Sequence, residues 1–156
     1  MSVAVASGGN GNFRDGVYDF CVAVLFNATP AQLAAIRAKF TEGNRVFADA
    51  LDGQQRFGTI TIVNDCTIDN KCGSLEVVEF WILPGGGRAY ATSGTYGERN
   101  EHVVMYFDQQ IGSDGFTGDE TCAHTIAHEM IHHAPPKRPL CWRAINGRPR
   151  RWISSR

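Results

Sequence analysis

Residues 17–26 have the sequence VYDFCVAVLF, a run rich in β-branched and aromatic residues that predicts a buried β-strand. The run stops at a polar turn in which Thr29 is a good helix N-cap and Pro30 suits the first helical position. Gln32 completes a capping box with Thr29, so we expect a helix that starts here and continues to about Asp52. A buried strand followed directly by a long helix indicates the α/β class.

The rest of the chain continues this alternation of strands and helices. The first helix carries one apolar stripe, which should pack against the core; its members are Leu33, Ile36, Phe40, Phe47 and Leu51. Composition and alternation predict further strands over 56–64, 75–83, 88–92 and 102–107. A capping box at residues 117–120 indicates the start of a second helix.

The second predicted helix contains the pentad His-Glu-Met-Ile-His at residues 128–132, which matches the pattern H-E-x-x-H. Side chains four residues apart lie on one face of a helix, so His128 and His132 can bind one Zn²⁺ at about 2.0–2.1 Å each. Glu129 lies between them, where it can act as a general base toward water activated by the metal. A chance match is the alternative, and the helical context favours the zinc site over it.

Composition limits the class of protein. The chain has 156 residues, of which 43% are hydrophobic and 20% charged, as expected for one globular domain. No apolar run approaches the roughly 20 residues needed to cross a bilayer, so no membrane span is expected. The N-terminus shows no signal peptide, which indicates either a cytosolic protein or a chain that begins after its export signal. We expect a flexible N-terminus over 1–16, a folded domain over 17–133 and an irregular tail over 134–156.

The tail differs in charge from the rest of the chain. Residues 1–132 contain 8 Lys+Arg and 16 Asp+Glu, whereas residues 133–156 contain 7 Lys+Arg and no acidic residue. Four prolines and the lack of a sustained apolar period mark the tail as irregular. It is either a basic arm for anions or nucleic acid, or an abnormal end from a gene-prediction error, and the second interpretation is favoured. Nucleic acid is not an expected partner outside this tail.

The cysteines suggest one covalent link. Of the five, Cys66 and Cys72 bracket a short polar stretch that can close as a disulfide loop in an oxidising compartment. Two thiols in a turn are the alternative. Cysteines at this spacing, with no second pair nearby, make a poor zinc site.

With this element order and this pentad, the chain resembles the catalytic domain of zincin metallopeptidases, in their metzincin-like form, over about residues 17–133. Residues 44–64, the cysteine loop and residues 123–129 also resemble the N-terminal peptidase domain of calcium-activated chloride channel regulator proteins and their bacterial relatives. The resemblance implies an α/β (α+β) fold with a twisted, mostly parallel sheet, one antiparallel edge strand and two long helices. The pentad would lie on the second helix.

The same resemblance implies a secreted, extracellular zinc endopeptidase. His128 and His132 would bind Zn²⁺, and Glu129 would take a proton from water that attacks a peptide carbonyl, then pass it to the leaving amine. The short edge strand, expected over 88–92, would pair with an extended peptide or protein substrate.

After His132 the chain departs from the zincin patterns. A metzincin continues with a glycine and then a His or Asp, but this chain has Pro135 and Arg138 at those positions. A thermolysin-like zincin supplies a later glutamate, but no acidic residue follows Glu129, and the methionine turn of metzincins is absent as well. The third zinc ligand is therefore not identifiable, and we expect the catalytic centre of this chain to be incomplete.

Two further histidines lie beside the pentad. His124 and His132 are about 12 Å apart along the helix axis at 1.5 Å per residue, so three rings cannot meet one ion on a straight helix. His124 is therefore expected to support the site from outside it or to lie at the surface. His133 is a replacement ligand only if the helix ends at once, which Pro135 favours.

Three functions remain open from sequence. The first is a zinc endopeptidase domain whose C-terminal part is missing or altered. The second is a non-catalytic extracellular interaction domain with a zincin fold. The third is a nucleic-acid-associated protein that acts through its basic tail.

Overall fold

The computed structural model describes residues 12–67, 78–92, 102–112 and 122–133. The predicted capping box at 117–120, Cys72 and the tail over 134–156 lie outside these ranges. In chain order the elements are β1 (Asn12–Arg14), β2 (Val17–Val24), α1 (Pro30–Ala50), β3 (Arg56–Val63), β4 (Val78–Leu83), β5 (Tyr90–Ala91), β6 (Val103–Tyr106), a π-helical turn (Phe107–Ile111) and α2 (Cys122–His133).

Strand β2 is the centre of a six-stranded mixed sheet. It pairs in parallel with β3 along one edge and with β4 along the other, and β6 pairs in parallel with β4. Strand β5 pairs with β6 in the antiparallel sense, at the end of the strand order. The predicted α/β fold is therefore confirmed, with a mostly parallel sheet, an antiparallel edge strand within 88–92 and the pentad on the second helix.

The first strand corrects the predicted boundary of the N-terminal segment. Residues 1–16 were expected to be flexible, but residues 12–14 form β1, which pairs with the start of β2 in the antiparallel sense. Asp15 and Gly16 make the turn with φ angles of 50° and 85°, the signs required by a two-residue type I′ hairpin. A Cβ atom at Gly16 would lie 2.1 Å from the carbonyl oxygen of Gln54, so the turn also needs glycine for space.

Helix α1 begins at the predicted capping box. The backbone N–H of Gln32 donates to Thr29 Oγ1 over 3.3 Å, and Gln32 Oε1 accepts from the backbone N–H of Thr29 over 2.8 Å. Pro30 occupies the first turn, where its missing N–H has no partner to lose. The helix ends at Ala50, two residues before the predicted end at Asp52.

Both helices pack on one face of the sheet, where alternate residues of β2, β4 and β6 form the core. Aromatic rings dominate this core, with Phe20 and Phe40 of two different elements both in contact with Phe80 of β4. Gly43 in the middle of α1 marks the crossing point of the helices, because an added Cβ would lie 2.8 Å from Ile126 Cγ2 on α2. This glycine therefore allows α2 to approach α1 closely, and the crossing fixes the position of the pentad relative to the sheet.

The cysteines divide into two groups within the described residues. Cys66 is disulfide-bonded, and its partner lies outside the described residues, so the Cys66–Cys72 pairing stays a prediction. Cys21 and Cys122 are buried thiols. Among the helices of the described ranges, none is long and apolar enough to cross a membrane.

Candidate metal centre on helix α2

The two pentad histidines lie together on the solvent side of α2. His128 and His132 are exposed, their Nε2 atoms are 3.1 Å apart, and their ring centroids are 4.9 Å apart. The opposite side of the helix is anchored in the core through Ala123, Ile126 and Met130, all of which are buried as predicted. The helix therefore presents the two rings to solvent from a fixed support.

The distance between the two Nε2 atoms agrees with shared binding of one cation. Two nitrogens that are each 2.0–2.1 Å from a tetrahedral Zn²⁺ lie about 3.3–3.4 Å apart. The observed 3.1 Å also agrees with a direct hydrogen bond in which one neutral ring donates to the other. The residues thus fit two ligands of a zinc ion, and the same geometry serves as a hydrogen-bonded pair without metal.

The described residues contribute two ligands to this site and not three. Within residues 12–67, 78–92, 102–112 and 122–133, no group of three or more His, Cys, Asp or Glu side chains could hold a metal ion. Glu129 and His124 are both partly exposed on the same helix. Pro135 and Arg138, which stand at the positions of the missing metzincin residues, lie outside the described residues.

His133 does not supply the missing ligand, because its ring is buried and both ring nitrogens already contact oxygen atoms. Nδ1 lies 2.5 Å from Glu79 Oε1, and Nε2 lies 3.0 Å from the carbonyl oxygen of Thr92. The side chains of His133 and Glu79 have no exposed area. The role of replacement ligand considered for His133 is therefore wrong, because burial of its ring turns it away from His128 and His132.

Glu79 reaches His133 from a bulge in β4. Cys21 of β2 pairs with Val78 of β4, and the next residue, Val22, pairs with Phe80. Glu79 is therefore an extra residue in β4. A bulge of this kind turns a side chain to a new direction. Sequence reasoning assigned Glu79 no role; the available signal was a carboxylate inside the otherwise apolar stretch 77–83.

The outer edge of the sheet lies beside α2, which contacts β5. Tyr90 of β5 is 48% exposed, the largest exposure of a large hydrophobic side chain among the described residues. Thr92 follows β5 and is linked to His102, because its backbone N–H donates to the His102 carbonyl over 3.0 Å. The backbone N–H of His102 donates in return to Thr92 Oγ1 over 2.8 Å. The pentad helix and the edge strand are thus connected through Thr92 and His133.

Comparisons with protein-family models, with curated proteins and with solved structures give no match to the chain. The function proposed below is therefore based on the geometry of α2 and of the sheet edge beside it.

Proposed function

We propose that this chain is a zinc-dependent endopeptidase domain, incomplete as it stands, in which His128 and His132 bind Zn²⁺ and Glu129 is the general base. The supporting observation is the convergence of two exposed Nε2 atoms to 3.1 Å on a helix whose other side is fixed in the core. A pair of imidazoles at this separation, with a carboxylate next in sequence to one of them, is the donor set suited to this chemistry.

Each pentad side chain has a separate task in the proposed reaction. When bound, Zn²⁺ supplies a Lewis acid that polarises a carbonyl group and makes water more acidic. The Glu129 carboxylate accepts a proton from the attacking water and delivers it to the amine nitrogen that leaves. His128 and His132 hold their ring nitrogens toward solvent, where a substrate can reach them.

An extended peptide is the substrate class that the neighbouring strand favours. Strand β5 pairs with β6 along one edge, and an outer edge of a sheet offers backbone N–H and C=O groups to another chain. A peptide added there as a further strand gains affinity from main-chain hydrogen bonds, whatever its sequence. The contact of β5 with α2 would bring such a peptide close to the histidine pair.

A non-catalytic interaction domain with the same fold is the second candidate, and the number of ligands favours it. Two histidines hold zinc more weakly than the three protein ligands of catalytic sites. For either function, the disulfide at Cys66 supports the extracellular location implied by the family resemblance, because disulfides persist in oxidising compartments.

Zinc titration by calorimetry tests the proposed metal site. We expect one Zn²⁺ per chain, affinity at least tenfold lower in His128→Ala and His132→Ala, and no comparable loss in the matched control His124→Ala. Wild-type affinity in His128→Ala would overturn the zinc proposal.

Cleavage of a peptide library then tests catalysis. Loss of cleavage in Glu129→Gln, with zinc binding retained, supports the endopeptidase. Zinc binding by the wild-type chain without any cleavage supports the interaction domain.

A further inference from the structure

The residue that follows the pentad is held from two directions. His133 ends α2 within the described residues, and its side chain has no exposed area. Because the carbonyl oxygen of Thr92 can only accept, His133 Nε2 must carry the hydrogen of that 3.0 Å contact. On the other side of the ring, one proton between Nδ1 and Glu79 Oε1 satisfies the 2.5 Å contact, whichever atom holds it.

These contacts join three separate parts of the fold. His133 belongs to α2, Glu79 to the bulge of β4, and Thr92 to the segment directly after β5. Thr92 is fixed in turn by its hydrogen bonds with His102, the residue directly before β6. The end of the pentad helix is therefore tied both to the middle of the sheet and to its outer edge.

Stability alone does not account for this arrangement. Glu79 Oε2 is buried without a hydrogen-bond partner in the described structure, and leaving a polar atom in that state is unfavourable. When well-packed apolar side chains replace a buried ionic pair, the free energy of unfolding often stays the same or rises. A buried polar pair, in contrast, fixes one relative orientation of the elements that it joins. The additional residue in β4 serves to deliver the carboxylate to this place.

We propose that Glu79, His133 and the Thr92 carbonyl form a positioning latch, which holds the last turn of α2 against the outer sheet edge and keeps His128 and His132 at metal-binding separation. The latch rests on the proposed function, because it acts on the zinc pair and on the adjoining peptide edge. Glu79 and His133 are positioning residues, because their side chains have no exposed area, and Thr92 contributes its carbonyl to the His133 ring.

The position of His132 explains why the pair needs such a device. His132 lies in the last described turn of α2, and Pro135 disfavours a helical conformation for residue 134, so we expect the helix to end near here. The last turn of a helix tends to fray because its carbonyl groups lack partners within the helix. His133 is about 100° further round the helix axis, so anchoring its ring inward keeps the His132 ring outward. If the turn frays, His132 loses its fixed distance to His128, and metal binding then has to restore that order.

The first test compares variants of Glu79 with a matched core variant. Glu79→Leu removes the partner of Nδ1, whereas Glu79→Gln keeps a group that can donate to a neutral Nδ1 and should rescue the latch. Phe47→Leu, a buried residue of α1 whose ring contacts Tyr18 and Phe57, serves as a control for a general loss of stability. Residues that support metal ligands typically change affinity by about 10–100-fold when replaced, and we expect the lower end because Glu79 acts through His133.

The expected zinc affinities are about tenfold weaker for Glu79→Leu and close to wild type for both Glu79→Gln and Phe47→Leu. Equal losses in Glu79→Leu and Phe47→Leu would reduce the latch to ordinary core packing and overturn the proposal. Wild-type affinity in Glu79→Leu would overturn it as well.

Hydrogen exchange of the backbone amides supplies a second test that needs neither zinc nor cleavage. In the wild-type chain, amides 131–133 should exchange as slowly as those in the middle of α2, and in Glu79→Leu they should exchange at least tenfold faster while α1 is unchanged. Fast exchange of these amides in the wild-type chain refutes the latch even if every variant fails to fold. If the wild-type chain binds no zinc, the proposed function fails, and the exchange result still decides whether the latch exists.

Discussion

Replacement of Gly43 by alanine should destabilise the protein, although alanine is the better helix former. In the interior of a helix, Gly→Ala gains about 1 kcal/mol of helix propensity. At this position the new methyl carbon would lie 2.8 Å from Cγ2 and 3.0 Å from Cβ of Ile126, well inside the ordinary contact distance. Isoleucine is branched at Cβ and cannot swing away easily, and overpacking of a core typically costs about 1–3 kcal/mol. We therefore expect a net loss of about 1 kcal/mol for Gly43→Ala.

A double-mutant cycle isolates the contact between the helices. Ile126→Ala alone should lower the free energy of unfolding by about 2–5 kcal/mol, the usual range for this truncation in a core. In Gly43→Ala/Ile126→Ala the new methyl occupies vacated space, so the double variant should be about 1–2 kcal/mol more stable than the sum of the single effects. Urea unfolding followed by circular dichroism, with linear extrapolation to water, measures all four free energies.

The reverse result would show that α1 and α2 do not approach at Gly43. In that case Gly43→Ala would raise the free energy of unfolding by about 1 kcal/mol, the value of helix propensity alone. The effects of Gly43→Ala and Ile126→Ala would then simply add in the double variant. Gly53 serves as a control, because its φ of 72° opposes alanine while no atom of the described residues lies within 4 Å of an added Cβ. Loss of stability in Gly53→Ala would thus reflect backbone conformation and should show no coupling to Ile126→Ala.

Three further predictions concern the buried hydroxyl, the buried thiol and the helix cap. Burial, with a smaller effect of the Glu79 carboxylate, raises the pKa of Tyr18 above its ordinary 10.0, so the folded state keeps a proton that the unfolded state releases. The free energy of unfolding should be unaffected by Tyr18 below pH 10 and should fall above it by up to about 1.4 kcal/mol per pH unit, and Tyr18→Phe should remove this fall in an alkaline series of urea titrations. Burial also raises the pKa of the Cys21 thiol, so mass spectrometry should find it unmodified by iodoacetamide in the folded chain at pH 8; rapid labelling would contradict its burial. Thr29→Ala removes the acceptor for the Gln32 backbone N–H and should cost about 1 kcal/mol in the same urea assay, whereas no change would mean that the cap contributes nothing.

Local signals in the sequence predict the elements that depend on local geometry. The capping box at Thr29 and Gln32 is complete within four residues, and the helix begins there. The same holds for the histidine pair, because a spacing of four residues alone brings His128 and His132 together on a helix. The Asp15-Gly16 turn was equally visible in the sequence, but the small, Gly/Asn-rich residues before it led to the expectation of a flexible segment.

The features that the sequence did not reveal depend on pairing between distant segments. Whether Glu79 is an ordinary strand residue or a bulge is decided by its register against β2, about 57 residues earlier in the chain. The helical period puts His133 on the buried side of α2, three residues after Met130 and seven after Ile126. The polar partners that its burial requires, Glu79 and the Thr92 carbonyl, come from distant segments and are not visible in α2 itself. Only the packed fold shows which groups satisfy the buried His133 ring.

The position of β3 next to β2 affects the order in which the protein can form during synthesis. Strand β2, helix α1 and β3 are consecutive in the chain, and together they make a complete βαβ unit within residues 17–63. Such a unit can assemble from neighbouring segments while the ribosome is still producing the rest, because it requires only one short loop closure at a time. The pentad helix emerges late, and we expect it to dock onto a surface that already exists, with the recess at Gly43 ready to receive Ile126.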